Sequence, residues 1–191
     1  MSDVRILVIS SAVVYGLLAI AMGVVPGVTM SATKPGPGVM PLSAAAKRGR
    51  AVYVSEGCAY CHTQQVRPLA QDRVFGRPST AGDYAYATPE LLGSERNGPD
   101  LSNIGTRQPS DVWQLIHLYE PRSLVAESIM PAYKWLFVIK DHADPGDVVV
   151  QVPLDFAPRG KVVVASRKAL DLVSYLKSLK QAPLPAASAK P

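Results

Sequence analysis

Both cysteines of the chain stand three residues apart, with a histidine directly after the second, in Glu56-Gly57-Cys58-Ala59-Tyr60-Cys61-His62-Thr63. Four chemistries compete for that pattern. A redox-active Cys58–Cys61 disulfide belongs at a strand-to-helix junction in a βαβ unit, and no such context surrounds it. A zinc site wants about four ligands, and the chain has no second cysteine pair to supply them. Chance would seldom bring the only two thiols together beside one of three histidines. The remaining chemistry is covalent haem c, in which two thioether bonds tie the porphyrin edge to the chain and the next residue's imidazole reaches the iron. On that reading Cys58 and Cys61 are linkers, and His62 is the proximal ligand.

An iron that only exchanges electrons needs a second axial ligand, because an open position admits oxygen or peroxide, and a methionine thioether is a common choice. Met1, Met22, Met30 and Met40 all lie well upstream of the motif. Met130, in Ser128-Ile129-Met130-Pro131, is therefore the candidate for the sixth position, and His117 and His142 are the alternatives. The His62 ring needs an acceptor for its other N–H so that it is oriented and basic. The Pro99 carbonyl, after a Gly98 that allows close backbone approach, is suited to that. Haem propionates want cationic or N–H partners, for which Arg67 and Trp135 are candidates. A surface ion pair for Arg67 and a core position for Trp135 are the plainer alternatives.

These residues need elements to hold them. Ser43 can cap a helix over 44–54 that ends at Gly57, directly before the motif. From about 64 to 105, prolines at 68, 78, 89 and 99 and glycines at 76, 82, 93, 98 and 105 predict loops with one helical turn. Something other than regular hydrogen-bonded structure must organise that stretch. Ser110 can cap a helix over 111–119, with Val112, Leu115, Ile116 and Tyr119 on one face and Pro121 as its stop. Valine runs at 148–150 and 162–164, around Ala157-Pro158-Arg159-Gly160, predict a β-hairpin over about 147–164. Ser166 can cap a last helix over 167–180.

The composition, 48% hydrophobic and 18% charged, is apolar enough for a core, so disorder throughout is excluded. Ile6 to Val25 runs twenty residues without a charge, and a helix of that length rises about 30 Å, the thickness of a bilayer's hydrocarbon core. A cleaved signal has a shorter apolar run beside a small-x-small site, and here Ala44-Ala45-Ala46 lies far beyond the run. The organisation predicted is an anchor over 1–28, a Pro/Gly-rich tether over 29–43, a haem domain over 44–182 and a frayed tail over 183–191, and the prolines and glycines from Pro26 to Pro41 are expected to sustain neither helix nor strand. Arg5 on one side of the anchor and Lys34, Lys47, Arg48 and Arg50 on the other leave the charge rule for orientation undecided. Asp3 and Arg5 cancel, so the +5 net charge belongs to the part after the anchor. No clustering of basic residues with aromatics points to a nucleic acid.

A helix, CxxCH, a loop with Gly-Pro-x-Leu, a methionine loop and a final helix resemble class I cytochrome c, a mainly α fold. The resemblance implies that the first and last helices of the domain cross closely, with Gly49 and Tyr53 meeting the Tyr175–Leu176 region. More narrowly, three runs are similar to the membrane-anchored monohaem cytochrome c subunit of cbb-type haem-copper oxidases: Gly49–Pro68, which ends in SEGCAYCHTQQVRP, then GSERNGPDLSNIG, then HLYEPRSLVAESIMPAY. That resemblance implies one covalent haem c on a periplasmic domain and a single-pass anchor in the bacterial inner membrane. It also implies electron relay to the haem b of a catalytic oxidase subunit that reduces oxygen, with another cytochrome c, subunit or soluble, as a further partner. Gln114, where the family pattern suggests histidine, and the hairpin depart from it, which leaves open a divergent oxidase or a nitric oxide reductase subunit; a free-standing tethered shuttle is a separate alternative. A haem enzyme such as a peroxidase would require Met130 to leave the iron.

Overall fold

The computed structural model describes residues 2–87, 89–93 and 95–182; the tail expected over 183–191 lies outside them. The chain opens with a helical rod: α1 (Ser2–Ala19), a π-helical turn over Ile20–Val24, and α2 (Val25–Ser31). Asp3–Ser31 is long and apolar enough to cross a membrane, and none of it is buried against the rest of the protein. The expectation that no helix survives past Pro26 is corrected. Pro26 falls in the first turn of α2, where a missing N–H costs least, and the π turn before it has already interrupted the regular hydrogen-bond ladder.

The tether is not free either. Gly36 N donates to the Gly82 carbonyl at 3.0 Å, and a Cβ on Gly82 would stand 2.8 Å from that nitrogen. Two glycines let the backbones touch, which fastens the tether to the domain five residues after the rod ends.

Three helices carry the domain: α3 (Ala44–Ser55), α6 (Asp111–Tyr119) and α7 (Arg167–Ser178). The hydroxyls of Ser43, Ser110 and Ser166 accept from the backbone N–H three residues on, at 3.2, 3.2 and 3.3 Å, filling one orphan donor in each first turn. α7 stops at Ser178, two residues short of the expected end.

α3 and α7 cross at Gly49, where any Cβ would collide with the Asp171 carbonyl. Arg48 spans the crossing with a two-pronged pair to Asp171 at 2.7 and 2.8 Å, and Tyr53 meets Tyr175 edge-on at 5.4 Å. The glycine here removes a side chain where two backbones meet, which outweighs the roughly 1 kcal/mol that a mid-helix glycine costs. Leu115, Leu118, Leu172 and Leu176 fill the core beneath them.

The hairpin is displaced from its expected place. β1 (Phe137–Lys140) pairs antiparallel with β2 (Val162–Ala165), Phe137 opposite Ala165 and Lys140 opposite Val162. The expected first strand reaches the other edge of β2 only at a bridge between Val149 and Val164. Both segments carry β-branched residues, but β1 also buries Phe137 edge-on against Tyr119 at 5.3 Å, so packing on the core decides between them.

Buried carboxylates organise the loop-rich stretch. Asp72, 1% exposed, accepts from Arg67 N and Nε at 2.9 Å, from Arg67 Nη2 at 2.8 Å and from Arg96 Nη1 at 3.0 Å. Asp100, equally buried, accepts from Gln65 N at 2.9 Å and Ser102 N at 2.8 Å. Among these loops lie only short turns at Ala70–Asp72 and Ala81–Tyr84, followed by the four-residue α5 (Ile104–Arg107).

Candidate haem site

The motif lies on a single helical turn, α4 (Cys58–Cys61), entered through Gly57 at φ 74°. That left-handed entry suits glycine and turns the chain from α3 straight into the motif. His62 leaves the turn with extended backbone, its N–H donating to the Cys58 carbonyl at 3.0 Å. Its Nδ1 lies 2.8 Å from the Pro99 carbonyl, the geometry of an N–H donating to an acceptor, which leaves Nε2 for another partner. Gly98 makes this possible, because a Cβ there would lie 2.6 Å from Nδ1. Gly98 N donates to the Cys61 carbonyl at 3.0 Å and Leu101 N to the Thr63 carbonyl at 2.9 Å, so two strands of irregular chain are laced together beside the ring.

Cys58, Cys61, His62, Pro99 and Met130 all line one cavity of about 550 Å³. Its remaining walls are chiefly apolar, from Leu101, Ile104, Leu118, Ile129, Leu172 and Leu176. Met130 comes from the loop after α6, where its N–H donates to Ser128 Oγ at 3.2 Å and Tyr133 N fixes the far end on the Leu118 carbonyl at 2.9 Å. Both thiols are free. Burial pushes the Cys58 thiol up to about 11, so it rests protonated at neutral pH. Burial also lowers the His62 imidazole, which keeps it neutral and able to act as a ligand, against the opposing pull of the Pro99 carbonyl.

A haem fits these residues. The cavity is apolar with two thiols at its edge, one wall supplies an oriented neutral imidazole, and the same lining includes a thioether. His117 also lines the cavity, its ring stacked on Trp113 at 4.5 Å, and its Nδ1 is buried without a partner among the described residues. Burial pushes that imidazole down to about 4.

Arg67 and Trp135 are not brought to this cavity. Carboxylates nearer at hand take their donors: the Arg67 guanidinium is held by Asp72, and Trp135 Nε1 donates to Glu56 Oε2 at 2.8 Å. His142 lies exposed in the turn after β1, away from the site. In their place the cavity wall contains Arg107, Gln108 and Trp113, which the sequence pattern alone does not single out. Arg107 lies 5.2 Å over the Phe75 ring and also donates to the Asp100 carbonyl. The one signal for it is its place shortly after the Gly98–Leu101 segment, since α5 carries the chain back along the same wall. Gln114, buried, spends its amide N–H on the Gln108 carbonyl at 2.9 Å.

A family model described as cytochrome C oxidase, mono-heme subunit/FixO matches residues 2–152. The chain belongs to this family. It is thus a subunit of a cytochrome c oxidase with one haem, and a catalytic oxidase partner follows from that membership. No curated protein matches the chain. β2 and α7, which close the core behind the cavity, lie beyond the matched span.

Proposed function

We propose that this subunit carries a single haem c, joined by thioethers to Cys58 and Cys61 and ligated by His62 and Met130, and passes electrons singly to the haem b of its catalytic partner. The single observation that carries the reading is the shared cavity: both thiols, an imidazole already oriented by the Pro99 carbonyl, and the Met130 loop line the same 550 Å³ space. When bound, the haem supplies a reversible one-electron iron couple. The chain's own residues do the rest. Pro99 keeps the His62 ring in one tautomer, the apolar walls exclude water, and Met130 occupies the position at which a small molecule would otherwise bind. Arg107 and Trp113 stand in the cavity wall where anionic propionates can be met by a cation and an indole N–H.

This arrangement fits a class I cytochrome c domain on the periplasmic face of the bacterial inner membrane, with the N-terminus in the cytoplasm. The oxidase family membership favours oxygen over nitric oxide as the terminal acceptor. A Met130→Ala change tests the reading: it should lower the reduction potential and let the reduced protein bind carbon monoxide. An unchanged spectrum would show that Met130 is not the sixth ligand, and the same change at His117 would then identify the alternative. Acid extraction of denatured protein should leave the pigment on the chain; released pigment would overturn the thioether links. A free-standing shuttle would purify alone, whereas the proposed subunit should bring a many-helix haem protein with it.

A further inference from the structure

A second cavity, about 370 Å³, lies where the tether meets the domain. Tether residues Gly38 to Ser43 form one side of it, and Arg50, Gln64, Ser102 and Lys180 contribute polar groups to its lining. Three of these side chains carry an unsatisfied atom. Arg50 Nε, Gln64 Nε2 and Ser102 Oγ are buried with no hydrogen-bond partner among the described residues, although Gln64 is only 8% exposed. Arg50 Nη2 donates to the Pro89 carbonyl, a neutral acceptor that leaves the guanidinium charge unbalanced. The Gln64 side chain is oriented by Tyr175, whose hydroxyl donates to Gln64 Oε1 at 3.0 Å, leaving the amide nitrogen as the group in want of an acceptor. Neither Arg50 nor Lys180 is in an ion pair among the described residues, and the carboxylate in the lining, Asp83, is engaged by Arg77 at 2.8 Å.

A partly buried cation without a counter-ion, Arg50, and two buried N–H groups without acceptors ask for an oxyanion, with the exposed Lys180 at the edge. Val39, Met40 and Pro41 on the tether side, beside a Leu42 that already packs on the core, ask for something apolar attached to it. Position supplies the source. The helical rod over 2–31 is about 45 Å long, some 15 Å more than a hydrocarbon core, so its last turns reach the headgroup layer. Gly36, docked on Gly82, follows Ser31 by five residues, at most about 18 Å of extended chain. The docked Gly36 beside the cavity is therefore tied within about 18 Å of the end of the rod.

We infer that this cavity holds the phosphate headgroup of an anionic phospholipid, with Arg50 as the principal partner, Lys180 at the rim and the tether's apolar residues along the start of the acyl region. A lipid held there would fix the domain's orientation above the membrane, and so the direction in which the haem site faces. Gln64 and Tyr175 form its inner wall, and Tyr53, stacked edge-on against Tyr175, belongs to the haem cavity beyond.

The inference is tested on the full-length haem protein in neutral detergent, by native mass spectrometry and by melting followed through haem absorbance. The probes are phosphatidylglycerol, phosphatidylcholine and inorganic phosphate. Phosphatidylglycerol should add to the protein and raise its melting temperature, while the other two at equal concentration should not. Loss of one charge-assisted contact in Arg50→Gln should weaken phosphatidylglycerol binding about tenfold. Lys180→Gln should weaken it less, and Lys168→Gln, on the outer face of α7, should leave it unchanged. Inorganic phosphate or phosphatidylcholine matching phosphatidylglycerol would overturn the inference, as would unaltered binding in an Arg50→Gln protein with a native haem spectrum. If Arg50→Gln fails to fold, unaltered binding in Lys180→Gln overturns it. The haem spectrum itself reports on the electron-carrier reading, so the two ideas fail separately.

Discussion

Two walls of the main cavity are built in opposite ways. The His62 wall is laced by backbone bonds from Gly98 to Cys61 and from Leu101 to Thr63, and Asp100, 1% exposed, ties Gln65 and Ser102 in behind it. The Met130 wall is a loop fastened at Ser128 and at Tyr133, and Ile129 beside the thioether is 73% exposed. A ring must be oriented to donate and ligate at once, so its wall is over-determined. A thioether on a flexible stem needs only to be within reach, so a lightly fastened loop suffices. Under the proposed ligation, the methionine side would be the place where ligation and potential vary without loss of the fold.

The largest effect should come from breaking the rigid wall at its tightest point. Gly98→Val puts a branched side chain into the space of the His62 ring, and the protein should accumulate with little or no covalent pigment, measured by haem staining after denaturing electrophoresis. Asp100→Ala should come next, because it takes away the side-chain acceptor of Ser102 N and leaves Gln65 N with only Thr63 Oγ1 at 3.2 Å, a loss of about 1 kcal/mol for each bond. A denaturant midpoint that does not move would show that the laced wall does not depend on its carboxylate. On the Met130 wall, Ser128→Ala removes a single neutral acceptor and should cost only about 1 kcal/mol, while changing the optical signature of the proposed Met130 ligation more than the stability.

Acid should act on the loops behind the rigid wall. The Arg67 guanidinium holds Asp72 far below the ordinary carboxylate range. The unfolded chain then takes up a proton at a pH where the folded one does not, so the stability from Asp72 is complete above about pH 4 and is lost as pH falls below it. Asp72→Asn should flatten the acid limb of a stability-against-pH curve. An unchanged limb would place the acid sensitivity elsewhere.

Much of this molecule was legible in its sequence because the signals were local. Three serines one residue ahead of the helical segments marked α3, α6 and α7, and twenty uncharged residues marked a helix long and apolar enough to cross a membrane. The CxxCH spacing and the scarcity of downstream methionine identified the residues that line the main cavity. The misplaced hairpin shows the limit of such signals. Residues 137–140 and 147–152 have similar strand character, and the contact of Phe137 with Tyr119, more than a dozen residues earlier, decided which one pairs fully. Pro26 and the tether glycines show it too, since a π turn and a docking partner at Gly82 changed what those residues do.

By itself the sequence determined which atoms are candidates to hold the haem, because the proposed covalent attachment would draw two sulfurs and an imidazole from five consecutive residues. Only the tertiary structure decided which cations and donors stand beside the cavity. Arg67 and Trp135 were captured by Asp72 and Glu56, while Arg107, from a separate short helix, was left in the wall. The physical reason is that a charged side chain goes to whichever partner the folded backbone brings within about 3 Å, and that proximity is a property of packing rather than of spacing along the chain.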